Sequence, residues 1–342
     1  MIGSIRRGIQ TAAAIVAAFG LSACGEGAVN PPAVQPGSGQ RPDAAPAASA
    51  CLTKACLYVA DFYGQTLTAY AASAKGNAKP IQTITGSKTG LQGPYGVAVD
   101  PSHNIYSVNT NGGTASTGSV TVYKAGANGN VAPTRTITGS NTGLFYPFGI
   151  VLDSSNNTYV TNYNGQSVTV YAPGAQGNVA PIRTIVGSNT GLYYPEGIVL
   201  SGTGKTYVAN SSGESVTVYA AGANGNVTPL QTISGSNTGL NGPQGIALGG
   251  GKIYIANFGG SVTAYKLGAN GNVAPVQTIS GSNTGLNEPF GIAVRGTALY
   301  VANESSNTIT VYSASANGNA APIRTIGGSN TGLNGPAGIL LR

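Results

Sequence analysis

A repeat of about 48 residues runs from Leu57 to Arg342 and constrains this chain more than any other feature. Successive marker tyrosines, each in a segment of the form T-Y-V-A-N, are 48, 53, 48, 47 and 46 residues apart. They are Tyr58, Tyr106, Tyr159, Tyr207, Tyr254 and Tyr300. Fixed periods of roughly 20 to 50 residues are typical of stacked or radial arrays of one small unit. The sequence therefore predicts six similar units.

Each repeat divides into four short strands, which we name A to D. In the third unit they are predicted at 149–153 (A), 158–162 (B), 167–171 (C) and 181–185 (D), where β-branched and aromatic residues are frequent. An Asn-Gly pair or a similar glycine turn separates C from D, and such pairs favour hairpins because both residues tolerate positive φ. Each D strand is predicted to open with proline, which cannot donate to a ladder, so D is the edge strand.

Six such units predict an all-β fold, a six-bladed β-propeller with four antiparallel strands in each blade. The repeat begins at a B strand (57–61) and ends at an A strand (338–342). The C-terminal strand is therefore predicted to join the N-terminal blade and close the ring. A β-helix is the alternative, although its coils are normally much shorter.

Columns that recur in every unit are predicted to be structural. The tyrosines in B and C are expected to pack between blades with wet hydroxyl groups. The Asp61 and asparagine column that ends B is expected to cap the B–C turn through its own backbone. The Gln or Arg column in D is expected to keep that edge polar. The last column comprises Gln82, Arg135, Arg183, Gln231, Gln277 and Arg324.

The N-terminus has the features of an export signal. Arg6 and Arg7 precede an apolar stretch (11–21) that is too short for a membrane span. The segment ends in L-S-A-Cys24, which resembles the lipobox of bacterial lipoproteins. The resemblance implies a signal peptide at 1–23, lipidation of Cys24 and an envelope location, with Gly25 favouring the outer membrane. An ordinary secretory signal with a chance cysteine and a twin-arginine signal are the alternatives.

Residues 24–55 form the predicted tether, and 56–342 the predicted propeller. The tether is rich in Pro, Ala, Gly and Ser, a composition that cannot build a core. Cys51 and Cys56 form an even pair in an oxidising compartment, which favours a disulfide over two free, partly buried thiols. The chain has one histidine, His103, far from both in sequence, so a metal site at the cysteines is not expected.

Charge gives no sign of a nucleic-acid partner. Only 7% of residues are charged, and the formal net charge is +7. The two signs are scattered along the sequence, whereas a nucleic-acid binder usually clusters its basic residues on one face. We therefore expect no nucleic acid among the partners.

The pattern P-x-G-I-x-L/V-D, then I/T-Y-V-A-N, then V-T-V-Y, resembles NHL-repeat propellers over all six units. The resemblance implies the propeller fold. NHL-like propellers include binding scaffolds, lactonase-like hydrolases and amidating lyases. The lyases use several histidines on zinc, which this chain lacks. The lactonase-like relatives use a Glu, Asn and Asp cluster on a divalent metal near the axis, and this chain matches that pattern only in part.

Aromatic residues outside the repeated columns all fall in B–C or D–A connections. These connections are expected on one face of the disc, because the strands of a blade are antiparallel. The residues are Phe62, Tyr63, Tyr95, Phe145, Tyr146, Phe148, Tyr163, Tyr193, Tyr194, Phe258 and Phe290. Such a surface indicates binding, although the rings could instead seat the loops. The second unit adds five residues to its B–C connection (109–118), which we expect to project from the same face.

The x of P-x-G varies while its neighbours repeat, and it is expected to ring the mouth of the central channel. It is Tyr95, Phe148, Glu196, Gln244, Phe290 and Ala337 in successive units. With Asp61, Glu288 and Glu304 on the same face, Glu196 could hold Ca²⁺. Solvated rim acids are the alternative, and no other cofactor is expected.

The predicted site for a ligand or partner consists of Tyr95, Phe148, Glu196, Gln244, Phe290, Phe62, Tyr63, Tyr163 and Phe258. We expect a non-enzymatic envelope lipoprotein that binds a glycan, a peptide or an envelope protein through this site. A metal-dependent lactonase-like hydrolase using Glu196 and a purely structural propeller are the rivals. No nucleophile–base pair is recognisable in the sequence.

Overall fold

The computed structural model describes residues 50–111 and 118–342. The chain divides into two units, Met1–Asp43 and Ala44–Arg342, and all described residues belong to the second. The predicted signal peptide, Cys24, most of the predicted tether and six residues of the second-unit insertion lie outside the described residues. Within those ranges, no helix is both long and apolar enough to cross a membrane.

The described chain is almost entirely β, with one short helix, α1 (Ala50–Thr53). The strands of the first half are β1 (Cys56–Asp61), β2 (Thr66–Ala71), β3 (Gln82–Ile84), β4 (Pro94–Val99), β5 (Ile105–Asn109), β6 (Ser119–Tyr123), β7 (Arg135–Ile137), β8 (Pro147–Leu152), β9 (Thr158–Asn162), β10 (Ser167–Tyr171) and β11 (Arg183–Ile185). Those of the second half are β12 (Pro195–Leu200), β13 (Thr206–Asn210), β14 (Ser215–Tyr219), β15 (Gln231–Ser234), β16 (Pro243–Gly249), β17 (Lys252–Asn257), β18 (Ser261–Lys266), β19 (Gln277–Ser280), β20 (Pro289–Arg295), β21 (Ala298–Asn303), β22 (Thr308–Ser313), β23 (Arg324–Gly327) and β24 (Pro336–Leu341).

These strands form six four-stranded antiparallel sheets, so the fold is a six-bladed β-propeller, as predicted. The first blade has the order β24-β1-β2-β3, so the C-terminal strand completes the N-terminal blade. Its register pairs Leu57 with Leu341 and Val59 with Ile339. The D strands are shorter than predicted, since β11 begins at Arg183, two residues after the proline that was expected to open it.

The edge of each D strand is covered by the next blade. In the first blade, Ile84 forms a parallel bridge with Gly129, which belongs to the Asn-Gly turn of the second blade. The Gly129 N–H donates to Thr83 O at 2.7 Å, and Thr83 N–H donates to Asn128 Oδ1 at 2.8 Å. Equivalent bridges occur around the whole ring. Blade-to-blade pairing, rather than a polar side-chain column, therefore protects the edges.

The Gln and Arg column of the D strands has a different role from the one predicted. Arg183 lies over the ring of Tyr159, and its Nη2 donates to the tyrosine hydroxyl at 2.6 Å. Arg135 and Arg324 make the same contacts in their blades. Gln231 instead donates to Gly268 O of the next blade at 2.8 Å. The column thus links strands and blades.

The glycine of P-x-G lets the A strands approach one another at the axis. A Cβ on Gly96 would lie 2.5 Å from Phe148 O in the next blade, and one on Gly245 would lie 2.1 Å from Phe290 O. Similar overlaps with backbone would arise at the other four positions. Because real Cβ atoms do not come that close to backbone oxygens, only glycine permits this inner ring.

The tyrosine column of the C strands is dry, contrary to the expected wet hydroxyls. All six rings are buried, and each hydroxyl donates to a threonine carbonyl in the D–A loop that enters its blade, at 2.5 to 2.7 Å. Desolvation raises the pKa of these tyrosines. Each such buried hydrogen bond contributes about 1 kcal/mol.

The column that ends the B strands bridges three elements rather than capping only its own turn. Asn162 is buried, and its Nδ2 donates to Ser167 Oγ at 3.2 Å and Thr169 Oγ1 at 3.1 Å, both on strand C. Its Oδ1 accepts from Phe145 N–H of the D–A loop at 3.2 Å. This network holds the B–C turn and the D–A loop together, and with them the surface they form.

Candidate functional site

The B–C turns and the ends of the D–A loops lie on one face, which we call the aromatic face. In each blade the first residue of the B–C turn donates a backbone hydrogen bond to the residue that precedes P-x-G. The distances are 2.8 Å for Phe62 N to Gly335 O and 3.0 Å for Tyr163 N to Tyr146 O. The two sets of connections therefore meet, as expected from the antiparallel strand order.

Five of the six variable P-x-G residues line one cavity of about 70 Å³ at the inner strands. They are Tyr95, Phe148, Glu196, Gln244 and Phe290. The ring centroids of Tyr95 and Phe148 are 4.3 Å apart, and those of Tyr95 and Phe290 are 5.2 Å apart. All five side chains are buried, so they form the interior of the site and not an exposed platform.

The polar side chains of this cavity are unusual for their depth. Glu196 is 1% exposed and lines the cavity beside three aromatic rings. Gln244 Oε1 has no hydrogen-bond partner among the described residues. A cavity of this size holds a few water molecules, and polar walls of this kind favour their presence.

A series of aromatic contacts extends from this cavity across the aromatic face. In one direction it runs from Tyr95 to Phe62 (4.4 Å between centroids) and on to Tyr63 (4.9 Å). In the other it runs from Phe148 to Tyr163 (5.0 Å). The exposed fraction rises from the centre outward, reaching 62% at Tyr63.

The second branch continues beyond Tyr163. Its ring centroid is 4.7 Å from that of Tyr194, which is 4.9 Å from that of Tyr193. Tyr146 flanks the branch, 6.0 Å from Tyr163. Tyr193 ends the series and is 49% exposed. Among the described residues, Phe258 does not join these ring contacts, although it is exposed on the same face.

Tyr146 and Tyr194 are held in a left-handed backbone conformation, with φ of 54° and 52°. Both immediately precede the proline of P-x-G. At the equivalent position three other blades have glycine, with φ between 62° and 67°, and the sixth has Glu288, with φ of 49°. A residue with a Cβ costs roughly 1–2 kcal/mol in this conformation. These two tyrosines were not among the predicted site residues, but the change from G-P to Y-P at a repeated position was the signal for them.

The four acidic residues considered for Ca²⁺ do not form a cluster. Among the described residues, no group of three or more His, Cys, Asp or Glu side chains could hold a metal ion. Glu288 accepts a hydrogen bond from the Ser305 hydroxyl at the rim, whereas Asp61 is buried in the column at the end of strand B. The considered arrangement of Glu196 with Asp61, Glu288 and Glu304 around one ion is therefore not found in the described part of the chain, and Glu196 and Asp61 are buried rather than solvated at the rim.

Asp61 is the one acid in a column that is otherwise asparagine. Its Oδ2 accepts from Thr68 Oγ1 at 2.9 Å and from Thr66 Oγ1 at 3.3 Å, and its Oδ1 accepts from Asn334 N–H. Burial raises the pKa of Asp61 to about 7, and these hydrogen bonds only partly oppose the effect. Asp61 is the last residue of β1, and it is paired with Pro336 at the start of the C-terminal strand β24.

A disulfide joins Cys51 to Cys56, with Cα atoms 5.5 Å apart. It links α1 to the start of β1, and Ala72 N donates to Ala55 O at 3.0 Å in the same region. The segment that leads into the propeller is therefore held against the end of the first blade that is opposite to its B–C turn.

Comparison with known proteins adds a partial family match. Residues 198–326 match the family model described as "Lactonase, 7-bladed beta-propeller". The match covers less than half of the chain, and the described structure has six blades rather than seven. No curated protein matches the sequence.

Solved structures share the fold at low sequence identity. A chain in the crystal structure of a nidogen/laminin complex aligns with a TM-score of 0.59 and 15% identity, over 84% of this chain and 98% of that one. A functionally unknown protein from Desulfotomaculum acetoxidans aligns with a TM-score of 0.54 and 14% identity, over 84% and 98%. Virginiamycin B lyase from Staphylococcus aureus reaches only 0.46, at 14% identity, over 68% and 69%. The first two likenesses support the propeller fold alone.

Proposed function

We propose that this propeller is a binding scaffold and that its aromatic face takes up a glycan, a peptide or an envelope protein. The ligand would contact Tyr146, Tyr163 and Tyr194 and the exposed ends of the series at Tyr63 and Tyr193. Half-buried tyrosines offer a large apolar surface together with a hydroxyl group, a combination suited to sugars and to peptide side chains.

The observation that carries this proposal is the backbone strain at Tyr146 and Tyr194. Three sister blades solve the same turn with glycine and avoid the cost. Residues that keep a strained backbone conformation where glycine would relieve the strain are found most often at functional sites. Both strained tyrosines belong to the aromatic series, which connects them to the axial cavity through Tyr163 and Phe148.

A binding screen with matched variants tests the proposal. The full chain carrying Cys24→Ser, which cannot be lipidated, is applied to a glycan array and a peptide array beside Tyr146→Gly/Tyr194→Gly. Glycine suits the backbone at both sites, so the double variant should fold. A matched control is Leu267→Gly, an exposed residue on the opposite face. Ligands bound by the parent and the control but lost by the double variant support the proposal, and equal binding by all three proteins, or none, refutes it.

A lactonase-like hydrolase is the second candidate, and the family match over 198–326 is the observation that favours it. Glu196, inside the axial cavity, would be the functional carboxylate. Hydrolysis of simple γ- and δ-lactones with added Ca²⁺ or Mn²⁺, lost in Glu196→Gln, would support this candidate. The absence of an acidic cluster among the described residues leaves such an ion with few protein ligands, so binding is the better-supported function.

We also propose that the chain is a lipoprotein of the bacterial envelope, attached through Cys24 and held in the outer membrane. The lipobox-like sequence and the Cys51–Cys56 disulfide, which suits an oxidising compartment, support this location. Cell fractionation tests it. The parent should sediment with outer-membrane fractions and incorporate labelled fatty acid, whereas Cys24→Ser should do neither.

A further inference from the structure

The two faces of the disc differ in charge, which the linear sequence conceals. The B–C turns and D–A loops of the aromatic face contain acids at Glu214, Glu288 and Glu304, with Asp61 and Glu196 buried beneath. The D–A loops contain a single basic residue, Lys88, whose N–H bonds to Asn130 of the neighbouring blade's C–D connection at the rim.

The opposite face is formed by the A–B turns and the starts of the C–D connections. Backbone hydrogen bonds join these two sets, as in Leu267 N to Gly251 O and Ala314 N to Thr297 O, both at 2.8 Å. Basic residues gather there, and we call this surface the basic face. Its members are Lys54, Lys124, Lys205, Lys252, Lys266, Arg295 and Arg342. The expectation that the two signs are scattered is therefore wrong in three dimensions.

Two acids, Asp100 and Asp153, also lie on the basic face, so its seven basic residues leave an excess of five positive charges there. Asp100 and Asp153 each occupy an A–B turn, where the carboxylate accepts from the backbone N–H and the side-chain amide of an asparagine four residues later. Every member of the basic face except Lys252 is exposed, so these charges face solvent.

The repeat does not require two basic residues at one paired position of a blade. Lys252 on β17 lies directly opposite Lys266 on β18, and like charges in that position destabilise a sheet. The first and sixth blades place uncharged residues at the same two positions, Cys56 opposite Ala71 and Ala298 opposite Ser313. Lys252 is held by its Nζ, which donates to Gln277 Oε1 and lies over the Tyr254 ring, whereas Lys266 is exposed to solvent. The pair therefore adds positive charge to this face at a position where two other blades carry none.

The N-terminal segment also joins the propeller at the basic face. Strand β1 begins there, α1 is fastened to it by the Cys51–Cys56 disulfide, and Lys54 lies between them. A fully extended chain from Cys24 to Cys51 reaches at most about 100 Å. An anchoring lipid at Cys24 would hold the propeller within that distance of the membrane, and the tether would enter the propeller at the basic face.

We propose that the basic face docks on anionic lipid headgroups and turns the aromatic face toward solvent. The choice of a membrane rests on the lipid attachment proposed above. Clustered Lys and Arg are attracted to an anionic leaflet within about one Debye length, roughly 10 Å at 0.1 M salt. Nucleic acid offers the same charge, but the point where the chain enters the propeller favours the membrane.

Vesicle sedimentation tests the docking without the lipid anchor. The full chain carrying Cys24→Ser is mixed with vesicles of pure phosphatidylcholine or of phosphatidylcholine with 30% phosphatidylglycerol (roughly the charge density of an anionic leaflet). Salt is raised in steps from low to high. We expect binding to the anionic vesicles to be at least tenfold tighter and to weaken steeply with salt. The neutral vesicles report apolar binding by the N-terminal segment, and its Arg6 and Arg7 are present in the parent and in both variants described next, so their contribution cancels in that comparison.

Two triple variants that remove the same number of positive charges distinguish the effect of the basic face from the effect of the protein's total charge. Lys205→Gln/Lys266→Gln/Arg295→Gln neutralises exposed residues of the basic face, and Lys75→Gln/Lys79→Gln/Lys88→Gln neutralises exposed residues of the rim and loops. We expect the first to lose at least tenfold in affinity and the second to lose much less.

Equal losses in both variants, or equal binding to both kinds of vesicle, would overturn the proposal. Stronger binding of a 20-base-pair DNA duplex than of the anionic vesicles would assign the face to nucleic acid and overturn it too. Because the tested protein carries no lipid, these outcomes are independent of the fractionation experiment. A failed anchor and a failed docking surface can thus be told apart.

Discussion

Asp61→Asn should stabilise this protein, and the gain should depend on pH. The carboxyl is fully buried, and its pKa rises from 3.8 to about 7. Because the folded pKa lies above the unfolded one, the protonated acid stabilises the fold below pH 4, and that contribution is lost as the pH rises through about 7. A shift of this size corresponds to up to about 4 kcal/mol at pH 8.

The structure also shows why asparagine fits. In the third blade the amide of Asn162 donates to Ser167 and Thr169, and in the first blade Thr66 and Thr68 occupy the equivalent positions. The protonated carboxyl of Asp61 can donate a hydrogen bond as the asparagine amide does. The ionised carboxylate can only accept from the Thr66 and Thr68 hydroxyls, and its charge is buried. The substitution therefore replaces a donor that predominates only below about pH 7 with one that is present at every pH.

Urea unfolding of the parent and Asp61→Asn, followed by tyrosine fluorescence between pH 4 and 9, measures the effect. The difference between the two proteins cancels every other titrating group to first order. We expect a difference close to zero at pH 4 that grows to several kcal/mol at pH 8. A difference that stays constant with pH, or a variant less stable than the parent at pH 8, would refute the reasoning.

Three further predictions concern packing. Gly245→Ala should lower the free energy of unfolding by about 1–3 kcal/mol or more, because its Cβ would overlap a backbone oxygen of the next blade. The control Gly202→Ala has open space around the new Cβ and should unfold at nearly the temperature of the parent. Tyr312→Phe should cost roughly 1–3 kcal/mol in denaturant titration by leaving a buried Thr284 carbonyl unsatisfied, and an unchanged midpoint would contradict that role. Tyr194→Gly should change stability by less than about 1 kcal/mol, because relief of backbone strain of roughly 1–2 kcal/mol offsets the lost ring contacts. A much larger loss would show that its ring is structural.

Much of the fold could be predicted because the same pattern of strands and turns occurs six times in the sequence. The edge strands, the glycine turns and the closure of the ring all followed from local propensity and from where the repeat starts and ends. What the repeat could not reveal is how blades contact one another. The pairing of Ile84 with Gly129 and the close approach at Gly96 arise between residues about 45 to 52 positions apart, and no local pattern records them.

The sequence predicted that the variable P-x-G residues lie together, but not how deeply they are buried. Comparing the six units identified Tyr95, Phe148 and Glu196 as the variable positions of a repeated motif, and the structure brings them to one cavity. Their burial follows from the narrow inner ring that glycine permits, which is a tertiary property. The part played by Tyr146 and Tyr194 depends on a backbone angle set by the loop they close.

By itself, then, the sequence determined the number of blades, the order of their strands and the positions free to vary. These are local and periodic properties, which hydrophobic alternation and turn residues specify directly. Tertiary structure alone decided which charges share a face, that Asp61 is buried, and that the variable ring is an interior cavity. Charge clustering and burial depend on distances between residues far apart in the chain, and those distances exist only once the ring has closed.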